Sequence, residues 1–137
     1  MWAESGEADT YEFLRRLVFA VLIGNADMHP KNRSLRYRDR RTPTLSSGYD
    51  FPATLPFIPN DTLALGFGGS RSLREITPGQ MRSFADKASI RASPLSRIAV
   101  ETAQKTVAAW KSLEQADLLP KQMRSEKQIF GVAATME

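Results

Sequence analysis

Apolar residues recur at helical spacing in the first part of the chain. The pattern begins at Asp9 or Thr10 and continues to about Ile23, which predicts one helix over these residues. Asp9 and Glu12 have the spacing of a capping box at its start, and Gly24 is typical of a helix C-terminus. The apolar stripe is wide, so the helix is predicted to be buried on most sides. Its apolar positions are Phe13, Leu14, Leu17, Val18, Phe19, Ala20, Val21, Leu22 and Ile23.

Two more helices are predicted in the C-terminal half. Thr77-Pro78 and Ser93-Pro94 each place a hydroxyl residue before a proline, which is typical of a helix start. Pro120 ends the second of these helices, and a last helix is predicted over 121–130. The predicted inner positions are Met81, Phe84, Ala85 and Ala88, followed by Leu95, Ile98, Ala99, Thr102, Thr106, Ala109, Trp110 and Leu113.

The middle of the chain has the pattern of short strands. Residues 33–38 alternate between polar and apolar, and residues 44–49 return after a turn, which predicts a β-hairpin. Residues 51–62 contain three prolines and are predicted to be irregular. A second pair of short strands is predicted at 63–65 and 73–76.

Length and composition are those of a single globular domain. With 137 residues the chain can bury a core, and we predict one mainly α domain over residues 1–137 with a small β-hairpin insert. The absence of cysteine excludes disulfides, thiolate metal sites and a cysteine nucleophile. The acidic N-terminus is unlike a signal peptide, and the longest apolar run, Leu17 to Gly24, is shorter than the ~20 residues of a membrane span. We expect a cytoplasmic protein with no membrane partner.

The positive charge is clustered. The net charge is +4, and six cations fall within eleven positions that contain one acid, Asp39. Such a cluster can attract phosphates or an acidic partner, but it is also typical of a solvated hairpin edge that resists pairing with other strands. The cations are Lys31, Arg33, Arg36, Arg38, Arg40 and Arg41.

The candidate chemistry lies in the loop from Gly24 to Asn32, Gly-Asn-Ala-Asp-Met-His-Pro-Lys-Asn. Asp27 and Asn32 are five positions apart, as in the catalytic loop of protein kinases. We predict that Asp27 deprotonates a substrate hydroxyl and that Lys31 neutralises charge on the transferring phosphate. Asn32 and Asp50 are the predicted magnesium ligands, since that ion prefers oxygen donors. The hairpin would bring these two residues together although 18 positions separate them.

These residues resemble the C-terminal lobe of HipA-like serine/threonine kinases. The loop has the family's Gly-Asn-x-Asp-x-His-x-Lys-Asn signature, and Tyr49-Asp50 is similar to its metal-binding Tyr-Asp pair. The resemblance implies a bacterial toxin of a toxin–antitoxin module that uses ATP and Mg²⁺ to phosphorylate a protein hydroxyl. It also implies that Asp27 is the catalytic base and that Asn32 and Asp50 bind magnesium. An antitoxin protein that also binds operator DNA is the implied partner.

A kinase also needs an ATP-gripping N-terminal lobe, and about ten residues precede the first predicted helix. We therefore expect the lobe to be absent from this chain, which would be a truncated kinase or would receive the lobe from a separate chain. The isolated chain is expected to have little kinase activity and to bind ATP weakly. Exposure of the surface that normally contacts the other lobe would favour self-association.

Two other functions remain open from sequence. One is a non-catalytic module that binds an antitoxin or nucleic acid through its Arg-rich hairpin. The chain is also compatible with a small-molecule phosphotransferase, because related folds share the Asp, Asn and Asp layout. Sequence does not separate a protein substrate from a small-molecule substrate.

Overall fold

The computed structural model describes residues 6–27, 34–49, 51, 52, 54, 57, 58, 60, 62–64, 66, 71 and 78–121. The prediction of a mainly α domain with a small hairpin is confirmed. In chain order the elements are α1 (Glu7–Leu22), β1 (Leu35–Tyr37), β2 (Pro43–Leu45), α2 (Pro78–Ala88) and α3 (Ala92–Gln115). None of the described helices combines the length and the apolar composition that crossing a membrane requires.

The core is formed by α1 and α2 packing against α3. Leu14 and Leu22 of α1, Leu95 of α3 and Leu63 of an intervening loop are the largest apolar side chains that are fully buried. Burial of each such side chain contributes about 1.5–3 kcal/mol relative to exposure. The predicted face of α1 is buried as expected, except that Phe19 is 36% exposed.

The start of α1 differs from the prediction. The helix begins at Glu7 with Gly6 as its N-cap, and no side chain caps it. The predicted capping box of Asp9 and Glu12 is therefore wrong. Asp9 lies inside the first turn, where its carboxylate accepts a hydrogen bond from the backbone N–H of Leu45 at 2.8 Å. The side chain that suggested a cap instead ties the hairpin to α1.

The third helix begins earlier than predicted and is less buried at its C-terminal end. Arg91 is its N-cap, so Pro94 is its third residue, where a missing N–H costs no helical hydrogen bond. Within α3 the buried stripe ends at Trp110, and the predicted inner residues Ala109 and Leu113 are exposed. The 24-residue α3 is about 36 Å long, longer than the 16-residue α1 at about 24 Å, so its last turn extends past its packing partner.

The hairpin is confirmed, with shorter strands than predicted. Its antiparallel register pairs Leu35 with Leu45, Arg36 with Thr44 and Tyr37 with Pro43. Along an antiparallel strand, every second residue directs its N–H away from the partner strand. The N–H of Leu45 donates to Asp9 and not to β1, so Pro43, two positions earlier, also stands where pairing with β1 needs no N–H. A proline that was expected in the turn is therefore accommodated in β2.

Other predicted elements lie only partly within the described residues. Pro78 is the first residue of α2, as predicted. Leu63 and Ala64 belong to no strand, although the N–H of Leu63 donates to the carbonyl of Arg71 at 2.7 Å. The predicted strand at 73–76 and the body of the predicted helix after Lys121 lie outside the described residues.

Candidate active site

The candidate site begins where α1 ends. Gly24 has a φ of 74°, a conformation that glycine adopts without steric cost. The N–H of Gly24 donates to the carbonyl of Val21 at 3.0 Å, and the N–H of Asn25 donates to that of Ala20 at 2.7 Å. These two bonds form a Schellman motif. The direction in which the chain leaves α1 is thereby fixed.

The next residues are held from two sides. The hydroxyl of Thr54 accepts a hydrogen bond from the N–H of Ala26 at 2.9 Å, while the backbone N–H of Thr54 donates to the carbonyl of Gly24 at 2.9 Å. On the other side, the carbonyl of Ala26 accepts a bond from the N–H of Ala64 at 3.0 Å. Asp27 follows directly and is half-buried. The backbone that leads to this carboxylate is fixed by tertiary hydrogen bonds.

Arg71 supports the second of these contacts. Its Nε donates to the carbonyl of Leu63 at 2.9 Å, and its Nη2 donates to that of Ala64 at 3.1 Å. The carbonyls are therefore satisfied by a charged donor, which gives stronger bonds than a neutral one. Arg71 keeps the Leu63 and Ala64 backbone in place against Ala26.

Asn25 is the polar residue at the centre of this arrangement. It is 1% exposed, and neither its side-chain oxygen nor its side-chain nitrogen has a hydrogen-bond partner among the described residues. A buried amide without a partner among these residues costs stability rather than adding to it. Asn25 lies two positions before Asp27.

Phe51 and Thr54 contact the end of α1. Phe51 packs edge-to-face on Phe19 of α1, with ring centroids 5.6 Å apart. A Cβ at Gly48 would come within 2.9 Å of the Phe51 ring, so this approach requires a glycine. Thr54, bonded to Gly24, completes the contact. Phe51 and Thr54 are therefore joined to α1 and to the segment that leads to Asp27.

Only some of the predicted site residues lie among the residues that the structure describes. Asp27 lies at the end of the fixed segment, and Tyr49, predicted to precede the metal-binding acid, is 44% exposed. Lys31, Asn32 and Asp50 lie outside the described residues, so their predicted roles are not tested.

Magnesium fits the donor chemistry of its predicted ligands, Asn32 and Asp50. Their side chains supply an amide oxygen and a carboxylate, which are hard ligands. Asp27 is a half-buried carboxylate on a fixed backbone, a setting compatible with a charged site. In the described part of the chain, no three His, Asp or Glu residues gather as a metal cluster. The predicted ligands Asn32 and Asp50 are not among the described residues.

Thr54 and Arg71 were not identified from sequence. Thr54 stands in a proline-containing stretch that the sequence marks only as irregular, and Arg71 was one of several scattered arginines. Thr54 bonds backbone groups 28 to 30 positions away, and Arg71 bonds carbonyls seven and eight positions away across a stretch with no regular element among the described residues. No local pattern signals such contacts.

Comparison with known proteins agrees with this fold. A sequence profile of the family described as HipA-like C-terminal domain matches residues 1–110. A protein of Sinorhizobium fredii (strain NBRC 101917 / NGR234) named "Putative kinase Y4dM" is 41% identical over 115 residues, which cover 83% of this chain and 27% of that protein. A Haemophilus influenzae (strain ATCC 51907 / DSM 11121 / KW20 / Rd) protein named "Putative kinase" is 39% identical over 62 residues, which cover 44% of this chain and 18% of that protein.

A solved structure shows the same fold. It is the complex of the Shewanella oneidensis MR-1 toxin–antitoxin system HipA, HipB and its operator DNA. The superposition has a TM-score of 0.73 at 20% identity and covers 95% of this chain and 31% of that chain. This chain thus spans less than a third of the length of each of these relatives. With the profile matching 110 of its 137 residues, the chain belongs to the HipA-like C-terminal domain family.

Proposed function

We propose that this chain is the catalytic lobe of an ATP-dependent serine/threonine kinase that phosphorylates a protein hydroxyl. The observation that carries the proposal is the fixed backbone before Asp27, where a Schellman motif is followed by hydrogen bonds to Thr54 and Ala64. Phosphoryl transfer depends mainly on positioning, so a rigidly held base is what the reaction needs. Family membership and two relatives named as kinases support the same activity.

Each predicted site residue has one role in this reaction. Asp27 accepts the proton of the acceptor hydroxyl while that oxygen bonds to the γ-phosphorus and the bond from phosphorus to the ADP oxygen breaks. Lys31 offsets negative charge on the phosphoryl group. Asn32 and Asp50 would hold magnesium through an amide oxygen and a carboxylate. Magnesium, when bound, neutralises charge on the phosphate oxygens.

The proposed partners follow from the family. The structural relative was solved with HipB and operator DNA, which supports an antitoxin protein as the regulator of this chain. The ATP-gripping lobe would come from another segment or another chain. Self-association through the surface facing that lobe is part of the same proposal and predicts concentration-dependent light scattering.

The proposal is tested by separating nucleotide binding from transfer. The chain is assayed alone and with the N-terminal lobe of a HipA-like kinase added, using a fluorescent ATP analogue for binding and labelled ATP for transfer. We expect Asp27→Asn to lower transfer by about 10²–10⁴-fold with little change in binding, because it removes the base alone. Asp50→Asn and Asn32→Ala should weaken the magnesium-dependent part of nucleotide binding.

An exposed acid on another element provides the control. Asp86→Asn removes one negative charge from α2 and should change neither readout by more than about twofold. If transfer by Asp27→Asn equals that of the unmodified chain, the role of Asp27 is wrong. If nucleotide binding shows no magnesium dependence in the presence of the added lobe, the metal site is wrong.

A further inference from the structure

The hairpin carries a group of exposed arginines that the proposed chemistry does not use. Arg36, Arg38, Arg40 and Arg41 are all exposed, and within the described residues none of their guanidinium groups has an ion pair. Arginines concentrated on so short an element create a strong local positive potential. We call the hairpin of β1, β2 and the turn between them, which carries these four residues, the arginine hairpin.

The one acid on the arginine hairpin is engaged in the turn. The carboxylate of Asp39 accepts hydrogen bonds from the N–H groups of Arg41 and Thr42 and from the Thr42 hydroxyl, at 2.7–2.9 Å. Arg40 adopts a φ of 60°, in the left-handed region. Both carboxylate oxygens of Asp39 thus accept hydrogen bonds within the turn, and among the described residues Asp39 forms no ion pair with a guanidinium group. The turn holds their backbone in one conformation, which lowers the entropy cost of binding a ligand.

The hairpin is also fixed to the core. The N–H of Leu45 donates to Asp9 of α1, and Nη1 of Arg16 donates to the carbonyl of Ser46 at 2.7 Å. In the strand register Arg36 lies on the face opposite that of Leu35 and Leu45, which are half-buried. The core therefore anchors one face and leaves Arg36 in solvent.

Covalent connection limits the distance between the hairpin and Asp27. Its two ends are joined by a hydrogen bond from the Ser34 hydroxyl to the Ser46 hydroxyl at 2.9 Å. Ser34 follows Asn32 by two positions, and Ser46 precedes Asp50 by four. Ser34 follows Asp27 by seven positions, so at no more than about 3.6 Å per residue the two Cα atoms lie within about 25 Å of each other. An extended protein segment of about eight residues spans that distance, so a segment whose hydroxyl reaches Asp27 can also reach the hairpin.

We propose that the arginine hairpin binds an acidic segment of the protein substrate, close in sequence to the hydroxyl that is phosphorylated. This inference rests on the proposed kinase function and deepens it by naming the substrate class. Guanidinium groups bind carboxylates through paired hydrogen bonds. Arg36 lies in β1 and Arg38 directly follows its last residue, so both are available to acids at alternate positions of an extended peptide, which are about 6.6 Å apart.

Binding is measured first, in a variant that cannot transfer phosphate. The chain that carries Asp27→Asn is titrated into each of three labelled probes, and fluorescence anisotropy measures the binding. One is a serine peptide with four glutamates at alternate positions, the second has glutamine at those positions, and the third is an oligonucleotide of the same charge. We expect the glutamate peptide to bind about tenfold more tightly than the glutamine peptide, and salt to reduce the difference.

Matched double variants locate the surface. Arg36→Gln with Arg38→Gln should weaken glutamate-peptide binding at least about fivefold, while Arg82→Gln with Lys87→Gln removes the same charge from exposed positions of α2 and should change it less than about twofold. Unchanged thermal midpoints verify that both variants fold. Equal losses in both variants, or equal binding of the two peptides, would overturn the proposal. Tighter binding of the oligonucleotide would overturn it as well, and would identify a nucleic-acid surface.

Transfer assays with the added N-terminal lobe separate this inference from the proposed function. If the hairpin selects the substrate, Arg36→Gln with Arg38→Gln should raise KM for the glutamate peptide at least about fivefold with little change in kcat. Phosphate transfer without preference for the glutamate peptide would refute the inference and leave the kinase function intact. Peptide binding that depends on the hairpin, without any phosphate transfer, would support the proposed peptide-binding surface and count against the kinase function.

Discussion

Thr54 makes two hydrogen bonds to the carbonyl oxygen of Gly24, one from its backbone N–H at 2.9 Å and one from its hydroxyl at 3.1 Å. The same hydroxyl oxygen accepts a bond from the N–H of Ala26 at 2.9 Å. One side chain thus satisfies backbone groups on both sides of Asn25. It joins the segment after position 50 to the segment that carries Asp27.

Removing the hydroxyl of Thr54 should loosen that junction. Thr54→Val keeps the shape of the side chain but leaves the N–H of Ala26 without its acceptor, so we expect a loss of about 1–3 kcal/mol in the free energy of unfolding. Urea unfolding measures this change. Thr54→Ser keeps the hydroxyl and should lose less than about 1 kcal/mol. Equal losses for the two variants would show that the methyl group, and not the hydroxyl, stabilises the junction.

The end of α1 depends on glycine in a way that a paired substitution can test. Gly24→Ala places a Cβ at a φ of 74° and should cost about 1–2 kcal/mol. The same substitution at Gly79, an exposed position within α2, should instead stabilise by up to about 1 kcal/mol, because alanine is the better helix former. Opposite signs in thermal or urea unfolding are expected. A neutral Gly24→Ala would mean that the Schellman motif can relax without cost.

The parts of this fold that sequence predicts are those set by local periodicity. The apolar spacing of Leu14, Leu17 and Val18 fixed the buried face of α1, and Gly24 marked its end, because both signals lie within a few residues of their effect. Asp9 was misassigned for the same reason. Its local spacing to Glu12 fits a cap, but the N–H of Leu45, 36 positions away, is its partner. The motif identified the family, and Asp27 stays its predicted base, while nothing local revealed that Thr54 bonds the backbone that leads to Asp27.

The buried amide of Asn25 should contribute little to stability. With no hydrogen-bond partner among the described residues, its truncation removes an unpaired polar group, which offsets the lost packing. We expect Asn25→Ala to change the free energy of unfolding by less than about 1 kcal/mol, whereas Leu22→Ala in the adjacent core should cost about 2–5 kcal/mol. Urea unfolding compares the two. A loss above about 2 kcal/mol for Asn25→Ala would show that the amide is hydrogen-bonded in solution.

The carboxylate of Asp9 should stabilise the hairpin rather than the start of α1. Asp9→Ala removes the acceptor of the Leu45 N–H, so hydrogen exchange at Leu45 should accelerate by about five- to tenfold. Exchange inside α1 should change less. Asp9→Asn keeps an oxygen acceptor and should retain most of the protection. Faster exchange confined to the first turn of α1 would restore the capping role that the sequence suggested.

The turn of the arginine hairpin should be sensitive to acid. Hydrogen bonds from the backbone N–H groups of Thr42 and Arg41 and from the Thr42 hydroxyl lower the pKa of Asp39 from 3.8 to about 2. A carboxyl whose pKa is lower in the folded state stabilises the turn fully above its unfolded value and loses that contribution as pH falls from 3.8 through about 2. The amide chemical shifts of Arg41 and Thr42 should therefore titrate together with a midpoint of about 2. Added salt should move the midpoint little, because hydrogen bonds and not distant charges cause the shift. Asp39→Asn should abolish this titration, whereas a midpoint that stays at 3.8 in the unmodified chain would show that the turn does not bind the carboxylate in solution.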